Sequence, residues 1–144
     1  MNVNNFYVLC GLPASGKTTF SKELTETTNS KLHCFDDIPE SHNPRKNKEI
    51  KQQMYRDIHE DLVQGCDVVL DDLHTQKEWR DNLLSIIKDI PCKKTLIVMT
   101  TPLEECLRRN KQRVNSLPDF VIQILNQRYE TPTLDEGWDE ILYY

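Results

Sequence analysis

Short apolar runs alternate along this chain with longer stretches in which apolar residues recur every third or fourth position. The runs at 6–10, 32–35, 67–70 and 95–99 predict strands, and the stretches at 17–27, 48–64 and 76–89 predict the helices between them. In the second of these helices Ile50, Met54, Ile58 and Leu62 fall four apart on one face, and Gly65 stops it. Thr95-Leu96-Ile97-Val98-Met99 is almost wholly apolar, as a central strand covered on both faces requires. Pro39 and Pro44 among polar neighbours make 38–47 a loop. Pro102 opens a helix read over 104–113, a further helix is predicted over 118–128, and 141–144 makes a last short strand. Strand alternating with helix is the pattern of crossover connections. The fold class is therefore α/β: a mostly parallel sheet of four to five strands with helices on both faces.

With 144 residues, the chain is expected to form one unit over 1–144. No apolar run approaches the roughly 18 residues of a membrane helix. Met1-Asn2-Val3-Asn4-Asn5 shows no basic leader, so no secretory signal is expected. Five scattered cysteines with no Cys-x-x-Cys pair argue for reduced thiols in a cytoplasmic protein, with Cys10 and Cys34 packed in strands. The net charge of −5 excludes a protein that coats polyanions indiscriminately, yet Arg108, Arg109, Lys111 and Arg113 crowd one short segment.

The chemistry concentrates after the first strand. Gly11-Leu12-Pro13-Ala14-Ser15-Gly16-Lys17-Thr18 fits the phosphate-binding pattern G-x-x-x-x-G-K-[ST] in full, and Thr19 follows it. Glycines at both ends let the backbone curl closely around phosphate oxygens, and the next helix presents its positive N-terminal end. Lys17 is expected to reach the β- and γ-phosphates of ATP, and the Thr18 hydroxyl to ligate Mg²⁺.

Acidic pairs, Asp36-Asp37 and Asp71-Asp72, end two further strands, where ligands gather in open α/β sheets. An acceptor hydroxyl must lose a proton as it attacks phosphorus, and Asp36 is the candidate base. Asp71 closes Val68-Val69-Leu70 and is expected to hold the metal's water shell or to orient the base. Asp37 and Asp72 read as solubilising or capping groups. His74 stands near this site, and Trp79 and Trp138 read as packing residues. In a helix over 104–113, Arg109 and Arg113 share a face and form an arginine-bearing lid over about 104–117. Their planar forks suit phosphate oxygens. An arginine acting on the transition state contributes about 10³–10⁵ in rate, roughly 4–7 kcal/mol.

Taken in order, these features resemble the kinase domain of the polynucleotide 5′-hydroxyl kinases and the small P-loop kinases grouped with them. The resemblance rests on residues 11–19, on Asp36-Asp37, on the strand ending at Asp71, and on Arg109-Asn110-Lys111-Gln112-Arg113. Leu117-Pro118 and the closing segment from Glu130 to Ile141 match as well. It implies a P-loop kinase fold and transfer of the γ-phosphate of ATP, with Mg²⁺, to a nucleic-acid 5′-hydroxyl. By the same resemblance Asp36 is the base, Asp71 a supporting acid, and Arg109 and Arg113 the lid. The family's substrate-contacting arginine is replaced by Pro39, with Arg45 a candidate substitute from the loop. Three readings stay open: a nucleic-acid 5′-hydroxyl kinase, a kinase of a small molecule, nucleoside or tRNA-linked group, and a non-enzymatic nucleotide-binding regulatory module.

Overall fold

The computed structural model describes residues 3–144. Met1 and Asn2, part of the N-terminus read above as lacking a leader, lie outside the described residues. Five parallel strands form one sheet in the order β2-β3-β1-β4-β5. They are β1 (Asn4–Cys10), β2 (Lys31–Cys34), β3 (Val68–Asp71), β4 (Cys92–Val98) and β5 (Glu140–Tyr143). The helices are α1 (Lys17–Thr28), α2 (Asn47–Val63), α3 (Lys77–Ile86), α4 (Leu103–Lys111) and α5 (Asp119–Gln127).

Period-two alternation in the strands sorts side chains onto two faces. Phe6, Val8, Cys10, Leu70 and Val98 point to the face covered by Met54, Ile58 and Leu62 of α2, Leu83 of α3, and Trp138. Leu9, Val69 and Ile97 point to the other face, where Phe20 and Leu24 of α1 pack. The expected stripe of α2 is buried at Met54, Ile58 and Leu62, joined by Tyr55, whereas Ile50 is half-buried. Among the described residues, no helix is long and apolar enough to cross a membrane.

From β1 the chain crosses over β3 to the edge strand β2, and from β3 it crosses in the other direction to β4. The carboxyl ends of β1 and β3 therefore border the crevice where α/β folds collect ligands. Three sequence expectations are corrected here. Asp36 and Asp37 do not end a strand: β2 stops at Cys34, and they lie in a single 3₁₀ turn, Phe35–Asp37. The helix expected to reach Arg113 stops at Lys111, so Arg109 and Arg113 do not share a helical face. Asn110 explains that stop. Its buried side chain donates to the Leu117 carbonyl at 2.7 Å and accepts from the Leu117 N–H at 3.0 Å, folding the chain back at once. Finally, Cys10 is buried as expected, but Cys34 is half-buried, with its Sγ 3.7 Å from Asp71 Oδ2.

Candidate active site

The loop between β1 and α1 begins with the Gly11 N–H donating to the Leu73 carbonyl at 3.0 Å, which ties it to the chain leaving β3. A Cβ on Gly11 would stand 2.7 Å from Ser15 Oγ and 3.0 Å from Met99 Cβ, so this position has no room for a side chain. The backbone then reverses through left-handed conformations at Ala14 (φ 64°) and Gly16 (φ 99°). The first is strained for a residue with a side chain, and such strain clusters at ligand-clamping sites. Gly16 is the N-cap of α1 and supplies no capping side chain, so the first-turn N–H groups remain open to an anion.

Lys17 is buried. Its ammonium donates to the carbonyls of Gly11 at 3.0 Å and Leu12 at 2.7 Å, which bends it over the loop. Burial pushes this amine below the ordinary lysine value, while the negative fields of Asp71, Asp72 and Asp36 pull it back. All three carboxylates therefore lie within electrostatic reach of this buried ammonium.

Asp71 is buried at the end of β3. Its Oδ2 lies 3.0 Å from Ser21 Oγ, whose single proton is shared between that carboxylate and the Thr18 carbonyl at 2.9 Å. Burial raises the Asp71 carboxyl above the usual carboxylate range, and Lys17, Ser21 and Thr18 oppose that rise. Ser21 was not singled out from the sequence. Its place one turn beyond Thr18 was the available signal.

Asp72 is not a solubilising group, contrary to the sequence reading. It is half-buried, accepts from the Leu73 N–H at 2.8 Å, and pairs with Lys51 of α2 at 2.5 Å. Burial works to raise its carboxyl, but His74, Lys51 and the Leu73 N–H together hold it below the ordinary value. Lys51 also lies 4.2 Å from the centre of the Phe35 ring. His74 is fully enclosed, with no partner for Nδ1, and Trp138 is buried against the core.

Asp36 is exposed, with His42 3.3 Å from its Oδ1. Its field reaches both Lys17 and Asp71. Arg109 approaches the loop: its Nη1 would be 3.6 Å from a Cβ on Gly16. It is tied to Glu105 at 3.0 Å, and Arg108 holds the same carboxylate, which sits at about 2 because of these two arginines. Arg113 lies exposed in the turn beyond α4, and Arg45 is exposed in the loop before α2.

This arrangement fits a Mg²⁺-nucleotide. The loop interior holds a buried Ser15 hydroxyl with no partner, open helix N–H groups and a cation. Thr18 and Asp71 are the oxygen donors beside it. Mg²⁺ characteristically takes one or two protein oxygens and fills its shell with phosphate and water.

Residues 6–143 match the family model described as chromatin associated protein KTI12. The L-seryl-tRNA(Sec) kinase of Methanococcus maripaludis is 29% identical over 141 residues, which take in 92% of this chain and 55% of that protein. The crystal structure of Chaetomium thermophilum Kti12 in complex with ADP-AlF3 is similar with a TM-score of 0.76 at 21% identity, covering 96% of this chain and 88% of that one. A chain in the structure of the Pnkp1/Rnl/Hen1 RNA repair complex reaches the same TM-score, 0.76, at 18% identity over 90% of this chain and 47% of that one. The two structural likenesses show that the chain shares the fold of these proteins. The resemblance to polynucleotide kinases holds at that level and no finer. The chain spans about half the length of the curated relatives it matches.

Proposed function

The chain belongs to the KTI12 family, and from that premise we propose that it is an ATP- and Mg²⁺-dependent phosphotransferase whose acceptor is a hydroxyl carried on nucleic acid. The observation that carries this reading is the Lys17 ammonium, anchored on two loop carbonyls at the uncapped start of α1 and faced by Asp71, Asp72 and Asp36. The likeness to a seryl-tRNA(Sec) kinase supports an acceptor linked to tRNA. The replacement of the expected substrate arginine by Pro39 weighs in the same direction, away from a bare 5′ end.

Mg²⁺-ATP, when bound, supplies the phosphoryl group and the metal charge that steadies it. The N–H groups of Ala14, Gly16 and the first turn of α1, with Lys17, would hold the phosphates, and Thr18 and Asp71 would hold the metal and its waters. Asp36 takes the proton from the acceptor oxygen as its bond to phosphorus forms and the bond to the leaving nucleoside diphosphate breaks. Arg109 and Arg113 close over the site and shut out water that would compete with the acceptor. A cytoplasmic, reducing setting suits the five free cysteines.

The test is γ-labelled ATP offered with 5′-hydroxyl oligonucleotides, seryl-tRNA and a set of sugars and nucleosides. Transfer to a nucleic-acid-linked hydroxyl is expected, lost in Lys17→Ala and reduced about 10²–10⁴-fold in Asp36→Asn. Transfer to small molecules alone would replace the acceptor class. One observation favours a second reading, a nucleotide-gated regulatory module: Asp36 is exposed and its only ion pair among the described residues is with His42. That reading wins if no acceptor is labelled and Asp36→Asn keeps full biological activity while Lys17→Ala has none.

A further inference from the structure

Between α2 and α3 the structure contains a groove of about 580 Å³ that Phe35 also lines. Phe35 is the chain neighbour of Asp36, so the groove's lining reaches the residue next to the candidate base. Its charged lining is Lys48, Lys51 and Arg56, with no acidic side chain among the lining residues. In a chain of net charge −5 that is a local reversal of sign. Lys51 is spoken for by Asp72, but Lys48 and Arg56 make no ion pair among the described residues, and both are exposed. The lid cations offer a contrast. Arg108 and Arg109 are tied to Glu105, and Lys111 lies 3.9 Å from Asp119.

The remaining lining is suited to bases. The half-buried Phe35 ring, beneath the Lys51 ammonium, gives an apolar edge, and Asn47, Gln52 and Asn82 give amide donors and acceptors. From Asn47 to Arg56 the helix advances about 13 Å. Single strands rise about 3.4 Å per stacked nucleotide, so a short run of nucleotides fits this length. A cationic track combined with aromatic faces is how proteins hold single-stranded nucleic acid without reading it closely.

We infer that the α2–α3 groove binds the single-stranded nucleic-acid segment adjoining the acceptor hydroxyl, with Lys48 and Arg56 on its phosphates and Phe35 against a base. The groove thereby brings the reacting end to Asp36. Identifying that end as the phosphate acceptor rests on the phosphotransferase reading above, but strand binding itself does not.

Anisotropy of a fluorescein-labelled, ten-nucleotide, 5′-hydroxyl single-stranded RNA, titrated with the full chain at several salt concentrations, reads the groove directly. The double variant Lys48→Gln/Arg56→Gln is expected to bind the RNA at least tenfold more weakly. Its log–log salt slope should be shallower by about 1.4, because each single-strand phosphate contact contributes about 0.7. Phe35→Leu keeps the apolar contact with the core and should weaken binding roughly tenfold with an unchanged salt slope. ATP affinity, measured alongside, should stay within twofold in all variants and shows that they are folded. The inference is overturned if the parent chain does not bind the RNA, or if the double variant keeps the parent's affinity and slope. Displacement of the RNA by polyglutamate but not by unlabelled RNA of another sequence would also overturn it, and would assign the groove to an acidic protein. Groove-dependent RNA binding with no phosphate transfer to any acceptor would uphold the groove and end the phosphotransferase reading. Transfer to a nucleic-acid-linked acceptor that the double variant leaves undiminished would do the reverse.

Discussion

His74 shows how one residue can record its surroundings in its chemistry. It follows the acidic pair at the end of β3 and adopts a left-handed backbone (φ 48°), so its ring turns inward and is 2% exposed. Burial pushes its pKa down to about 4 against the pull of Asp72, with Lys51 and Arg80 adding to the fall. An unfolded histidine takes up a proton as pH drops below about 6.5. The folded one stays neutral until about 4. Acid therefore favours the unfolded chain across that window, and stability contributed by the neutral ring is lost as pH falls from about 6.5 to 4. Asparagine tolerates the left-handed conformation and does not titrate. In urea unfolding at pH 7 and pH 5, His74→Asn is expected to show a smaller loss between the two than the parent. An equal loss would place the acid-sensitive group elsewhere.

At the level of elements, the arginine segment is where sequence spacing misled. Residues four apart imply one helical face only while the helix lasts. Here Asn110 hydrogen-bonds across to Leu117 and ends α4 at Lys111, so Arg113 sits on the turn. Arg109 already borders the loop at Gly16, whereas Arg113 lies exposed in the turn beyond α4 and, in the proposed mechanism, acts only once the segment closes. An interaction made only on closure is felt in turnover rather than in binding. Arg113→Ala is accordingly expected to lower kcat by about 10³ or more, with the KM for ATP within a few-fold. A kcat within a few-fold of the parent would remove Arg113 from the lid. The 3₁₀ turn at Phe35–Asp37 was equally hidden, because Cys34-Phe35 continues the apolar character of β2. The positions of all five strands and of α1 to α3 were legible within a few residues, since each buries a face whose period is fixed by backbone geometry.

Across the whole molecule, the C-terminal segment is stitched to α3 by a fully buried ion pair. Arg80 donates from Nε to Glu136 Oε1 at 2.9 Å and from Nη2 to Oε2 at 3.1 Å, and its Nη1 bonds the His74 carbonyl at 3.1 Å. Trp138 Nε1 donates to the same carboxylate at 3.1 Å. The sequence hid this pair in plain view: Arg80 fills the slot of an apolar stripe that continues through Leu83 and Ile87. Removing one partner leaves a buried unpaired charge, at a cost of about 3–5 kcal/mol. Glu136→Gln should therefore lower Tm at pH 7 by on the order of 10 °C. Burial raises this carboxyl, but Arg80 and Trp138 bring it below its ordinary value. Its contribution is thus present above the unfolded value of about 4.3 and lost as pH falls below it. Thermal melts at pH 7 and pH 3.5 should show the gap between parent and variant closing at the lower pH. A constant gap would mean that the carboxylate's charge is not what stabilises the pair.

What the sequence determined by itself was local: which segments are strands and helices, and that a glycine-framed loop with Lys17 and Thr18 stands between the first of each. Periodicity and backbone freedom act over a few neighbouring residues, so they can be read along the chain. Only the tertiary structure decided that Lys51 reaches Asp72, that Ser21 steadies Asp71, that Arg80 meets Glu136, and that a basic groove opens beside Asp36. These depend on strand order and helix packing, and the ion pair of Arg80 with Glu136 alone joins residues 56 positions apart. A charged side chain looks the same in sequence whether it faces water or a partner, because the difference is made by what the fold places opposite it.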